Sequence, residues 1–134
     1  MESHILKLQN IAYNLKENAI KLENESKKLR LKSTKMKSLY KKNIMEARSY
    51  MILSKANKFY ADASYLMSST FTDKSLDIVY YYLQSEKSFR LYEKDFRLKS
   101  NQLYRENHRL IKEKKEYEIR LEAIANDDRY KDFY

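Results

Sequence analysis

The sequence predicts an all-α protein, a long antiparallel helical hairpin followed by a further long helix with coiled-coil-like packing. Three observations lead there. Gly, Pro, Cys and Trp are absent from all 134 residues, which removes the residues that make left-handed turns, kinks, disulfides and most tight loops. Apolar residues recur in four-then-three alternation over most of the chain, the signature of a helix seam with a mean period of 3.5. A hydrophobic fraction of 43% beside 35% charged residues is enough to fold but suits extended helices with a modest core.

The first helix is expected over about residues 3–40. Its seam reads Leu8, Leu15, Leu22 and Leu29, with Ala12, Ala19, Ser26 and Ser33 four residues after each leucine. The small series resumes in the same register as Ala47, Ser54, Ala61 and Ser68. Small residues at every seventh position let two backbones approach closely. The two series are therefore expected to face one another as the hairpin seam. A polar turn is placed at Lys41, Lys42 and Asn43, where asparagine tolerates the conformation that ends a helix. The second helix then begins at about 44, giving a basic hairpin over 1–69.

Thr70 with Asp73 three residues on resembles a capping box and marks a break or bend. Beyond it, Tyr82, Phe89, Phe96, Leu103, Leu110, Tyr117 and Ile124 form another heptad series. Residues 70–126 are expected to be a long third helix or a continuation of the second, with residues 127–134 fraying.

The net charge of +9 is unevenly placed, because residues 1–60 hold 14 Lys and Arg against 5 Asp and Glu, and the remainder is balanced. Lys21, Lys28, Lys35 and Lys42 form a heptad stripe on the outward side of the first helix, while Lys16, Arg30 and Lys37 flank the seam more closely and Lys27, Lys32 and Lys41 add charge. Residues 26–45 contain no acidic side chain. A helix built only for solubility would mix signs to gain i,i+4 pairs. The stripe is read as a binding face for an anionic membrane surface or for phosphates. At about 1 kcal/mol per basic residue, one copy binds an anionic bilayer weakly, so attachment calls for a polymer.

No site chemistry is legible. His4 and His108 stand outside any HExxH or Glu-x-x-His spacing, and without glycine there is neither a P-loop nor a dinucleotide-binding turn. The expectation is a non-enzyme with no cofactor and no metal. MESHILKLQN lacks a signal peptide's apolar run, and the most apolar stretch, SLDIVYYYL, falls short of the roughly 20 residues that cross a bilayer, so a cytoplasmic location is expected.

Four short motifs add a resemblance: SKK at Ser26 to Lys28, KSL at Lys37 to Leu39, KKN at Lys41 to Asn43 and MEAR at Met45 to Arg48. In this order, between about Ile5 and Leu66, the chain resembles the N-terminal hairpin of the ESCRT-III (charged multivesicular body protein) family, closest to its type-1 branch. The resemblance implies a subunit that polymerises, alone or with other ESCRT-III-like subunits, on the cytosolic side of endosomal or other membranes. It further implies a role in membrane remodelling, scission and endosomal sorting. Near the end, Glu116, Arg120, Leu121 and Ile124 resemble the family's MIT-interacting helix, which implies an MIT-domain AAA ATPase as partner. Two other readings stand beside this one: a coiled-coil scaffold or complex subunit, and a basic helical protein that binds RNA or a ribonucleoprotein.

Overall fold

The computed structural model describes residues 2–71 and 76–129. They form three helices, α1 (Glu2–Thr34), α2 (Leu39–Thr70) and α3 (Leu76–Ala125). At 1.5 Å per residue, α1 and α2 are each about 50 Å long and α3 about 75 Å. The all-α hairpin followed by a further long helix is the architecture observed.

The turn lies earlier than Lys41–Asn43, between Lys35 and Ser38. Its cause is local. The Ser33 and Thr34 hydroxyls donate back to the carbonyls of Arg30 (2.7 Å) and Leu31 (2.6 Å). The Lys35 and Met36 amides then tighten onto Lys32 and Ser33 in three-residue steps, each at 3.1 Å. Ser38, with extended backbone (φ −82°, ψ 123°), caps α2 by accepting the Lys41 amide. Serine therefore starts α2 where asparagine was expected to, and Asn43 is buried one turn inside the helix. At the other end Thr70 closes α2 rather than opening a helix, its hydroxyl bonded to the Met67 carbonyl at 2.8 Å. Asp73 lies outside the described residues.

The pairing of the small-residue series differs from the sequence expectation. Ser54 donates to the Glu93 carbonyl (2.8 Å) and Ser100 to the Ala47 carbonyl (2.8 Å), so the series Ala47, Ser54, Ala61, Ser68 faces α3. The hairpin seam with α1 instead uses a fourth series, Ser49, Ala56, Ala63 and Thr70. Its register is fixed by Ser26, which donates to the Ser49 carbonyl at 3.0 Å. Both series are buried along their length. The reason is that α2 has two neighbours. Residues 45, 49, 52 and 56 and residues 43, 47, 50 and 54 lie about 160° apart at 100° per residue. Each side then presents one small residue per heptad.

The molecule is consequently a flat ribbon with α2 in the middle. α1 and α3 run antiparallel to α2 on its two sides and make hardly any contact with each other. α3 is a separate helix folded back on α2, and its aromatic stripe finds its partner within the chain. Tyr50 stacks on Phe96, Tyr60 on Phe89 and Phe71 on Tyr82, with centroids 6.0, 5.1 and 5.8 Å apart.

Alanine and serine make up most of the buried residues, and Leu53 is the one large hydrophobic side chain buried among the described residues. Alanine buries little apolar area, so cohesion comes from close backbone contact and from hydroxyl bonds across the seams, each worth about 1 kcal/mol. Two buried amides sit less comfortably. The Asn107 side chain donates to the Tyr40 carbonyl (3.0 Å), but its own oxygen and the Asn43 side-chain nitrogen have no partner. An unpaired buried polar group costs about 1–3 kcal/mol. Asn43→Leu, similar in volume, should therefore raise stability by about 1 kcal/mol or more, read as a higher urea midpoint with unchanged slope.

Candidate acidic-surface interface

A flat ribbon has two broad faces, and two polar contacts identify them. On one, the Arg90 guanidinium from α3 reaches Asp62 of α2 at 3.2 Å and Glu86 of its own helix at 2.8 Å. On the other, the Tyr60 hydroxyl of α2 donates to the Glu23 carboxylate of α1. Heptad spacing then assigns the remaining side chains.

The Arg90 face is strongly basic. α1 contributes Lys7, Lys21, Lys28 and Lys32, α2 contributes Lys41, Arg48, Lys55 and Lys58, and α3 contributes Lys87, Lys94 and Arg97 beside Arg90. All of these basic residues are exposed. Glu25, Asp62, Glu86 and, one heptad after Glu86, Glu93 are acidic residues on this side, and Arg90 engages Asp62 and Glu86. These hydrogen bonds, Glu86's first, hold the Arg90 guanidinium above its ordinary pKa. It remains charged.

The opposite face is nearly balanced. Lys16, Lys27, Arg30 and Lys99 lie among Glu23, Glu46, Asp95 and Glu106. Lys99 sits over the Tyr50 and Phe96 rings at 5.6 and 5.5 Å. Burial first, then the hydrogen bond and charge of Glu23, push the Tyr60 phenol well above its usual value. A raised folded-state pKa means that neutral Tyr60 stabilises the fold fully below about pH 10 and that this contribution is lost as pH rises further. Thermal unfolding at pH 8 and pH 11 should show an alkaline loss that is smaller in Tyr60→Phe.

The lysine stripe read from the sequence is not continuous. Lys21, Lys28 and Lys32 lie on the basic face. Lys35 and Lys37 fall in the turn, and Lys42 is half-buried at the start of α2. Lys16, Lys27 and Arg30 turn to the balanced face. The heptad arithmetic assumed a helix running to residue 40, and the chain reverses after Thr34. What sequence reasoning missed is the larger part of the interface, the basic residues of α2 and α3. A signal was present, since Arg48 and Lys55, Lys87 and Lys94, and Arg90 and Arg97 each repeat at seven.

Glu116, Arg120, Leu121 and Ile124 share the last part of α3. Because α2 begins at Leu39, opposite about residue 108, residues 111–125 extend past the hairpin turn and are exposed throughout. Tyr117, Leu121 and Ile124 continue the α2-facing stripe with no other helix of the described residues beside them, and Arg120 lies over the Tyr117 ring at 6.0 Å.

Comparison with protein-family models, curated proteins and solved structures finds no match. Among the described residues no helix is long and apolar enough to cross a membrane. Nor, among them, does any group of three His, Cys, Asp or Glu side chains come together in a way that could hold a metal ion.

Proposed function

We propose that this chain is an ESCRT-III-like subunit that assembles on acidic membrane surfaces and takes part in membrane remodelling, scission and endosomal sorting, without catalysis of its own. The observation that carries the reading is the basic face, which draws cations from all three helices onto one side of a flat molecule. A plane of charge about 50 Å long suits a bilayer better than the single groove of a duplex. The close-packed hairpin of residues 2–70 supports the family resemblance, and the exposed end of α3 gives an MIT domain a helix to grip.

Co-sedimentation with vesicles tests this. Binding to phosphatidylserine-containing vesicles at moderate salt, with none to neutral vesicles, is the expected result. Equal recovery with both, or with neither, would sink it. Strong RNA binding with a steep salt slope and no lipid effect would transfer the basic face to a nucleic acid. The unaccompanied stripe at Tyr117, Leu121 and Ile124 favours a second reading, a scaffold that pairs there with another protein's helix. Its sign would be a small defined oligomer that ignores lipid.

A further inference from the structure

The balanced face holds a groove that attachment through the opposite face does not explain. Its volume is about 440 Å³, and it runs along α2 with Leu53 and Asn57 as its floor. α1 supplies one wall through Glu23, and α3 supplies the other through Phe89, Tyr92 and Phe96. Tyr60 crosses one end, its ring stacked on Phe89 with centroids 5.1 Å apart and its hydroxyl donating to the Glu23 carboxylate. Phe89 and Phe96 are one heptad apart, so the aromatic wall is about 10 Å long.

The lining is rich in electrons and poor in donors. The Asn57 side-chain nitrogen donates to the Leu53 carbonyl at 2.8 Å, which leaves the acceptor oxygen as the unengaged end of that amide. The Tyr60 proton is spent on Glu23. Among the described residues the Glu23 carboxylate forms no ion pair, not even with Lys27 one turn further along α1. Tyr92 is 53% exposed and stacks on no other ring among them. Although the chain carries a net charge of +9, neither Lys nor Arg belongs to the described lining of this groove. The neighbouring depression does include a cation, Lys99, whose ammonium lies over the Phe96 ring at 5.5 Å. Phe96 therefore already seats a positive charge from within the chain.

We propose that this groove binds a dissolved small molecule bearing a quaternary ammonium group of the choline type. Aromatic faces are negative and attract a cation placed within about 6 Å of the ring centroid. The Glu23 carboxylate stands across the groove from them and adds a full charge of the same sign. A primary ammonium or a guanidinium would bring several N–H groups to a site whose acceptors are few. A quaternary ammonium has no N–H to satisfy, and its methyl groups suit Leu53 and the rings. The site does not rest on the membrane reading, but that reading decides the source. With the basic face laid on an acidic surface, the groove opens away from it into solution. The phosphate of a choline headgroup would also meet acceptor oxygens.

Titrating the whole chain with choline chloride in the absence of lipid, followed by NMR of the aromatic rings and the Asn57 side-chain amide, tests the site. Saturable shifts at Tyr60, Phe89, Tyr92 and Phe96 are expected, with a dissociation constant on the order of 1 mM for so open a groove. Neohexanol, the uncharged carbon counterpart of choline, should bind about tenfold more weakly. Glu23→Gln keeps an acceptor for Tyr60 but removes the charge, and should weaken choline binding by about tenfold. Tyr92→Leu, at an exposed position outside both seams, should weaken it as well, whereas Tyr92→Phe should retain it. Circular dichroism confirms that the helices are kept in each variant. No saturable shift at the groove, equal binding of choline and neohexanol, or a Glu23→Gln chain that binds choline as well as the parent would each overturn the inference. Phosphocholine should bind more weakly than choline, and tighter binding would overturn the choice of a free solute. Because lipid is left out, a failure here is distinct from a failure in the vesicle assay.

Discussion

Ala56→Leu and Ala61→Leu should each destabilise the protein by about 3 kcal/mol, and they should loosen different helices. Both alanines have no exposed area and sit where backbones approach too closely to admit three more carbons. Ala56 lies in the series with Ser49, whose carbonyl accepts from α1, and Ala61 in the series with Ser54, which donates into α3. Amide exchange should therefore quicken first in α1 for Ala56→Leu and first in α3 for Ala61→Leu. The reverse assignment would restore the pairing expected from sequence. A loss of this size is a large share of a total stability of about 5–15 kcal/mol. Folded yield should fall in both.

The seams show what sequence could and could not deliver. Leu8 to Leu29 with Ala12 to Ser33 was readable because both members of each heptad step lie on one helix face. The same arithmetic extended to Ala47, Ser54, Ala61 and Ser68 found a true seam and joined it to the wrong neighbour. A central helix has two buried sides, and periodicity does not say which side meets which helix. Ser49, Ala56 and Ala63 were passed over because their larger companions, Met45, Ile52 and Phe59, are chemically mixed, whereas α1 repeats leucine. The turn escaped for a smaller reason. Lys41, Lys42 and Asn43 are the more polar cluster, yet Ser33, Thr34 and Ser38 hold the hydroxyls that bond to the backbone there.

The charge reversal Arg48→Glu/Lys55→Glu/Lys58→Glu should reduce binding to anionic vesicles by at least a hundredfold while leaving the helices intact. Each basic residue held near such a surface contributes about 1 kcal/mol, so neutralising three would already cost about 3 kcal/mol, and reversal adds repulsion. All three are exposed on the broad side of α2, and none belongs to a seam. Lys16→Glu/Lys27→Glu/Lys99→Glu changes net charge equally on the balanced face and should weaken binding far less. Equal losses in the two variants would mean that total charge, rather than a face, governs attachment. Half of this site was beyond sequence reading, because Arg48, Lys55 and Lys58 align with Lys21 and Lys28 only once α1 and α2 lie side by side.

The ribbon is one helix thick and three helices wide, and that shape has a mechanical consequence. For three rods about 10 Å across, bonded side by side at spacings of about 9 Å, stiffness against bending in the plane exceeds stiffness against bending out of it by on the order of tenfold. The compliant direction is perpendicular to the broad faces. A plank of this kind resists being bowed sideways but yields to curvature beneath it, so the side that carries the cations is also the side that can follow a rounded contour.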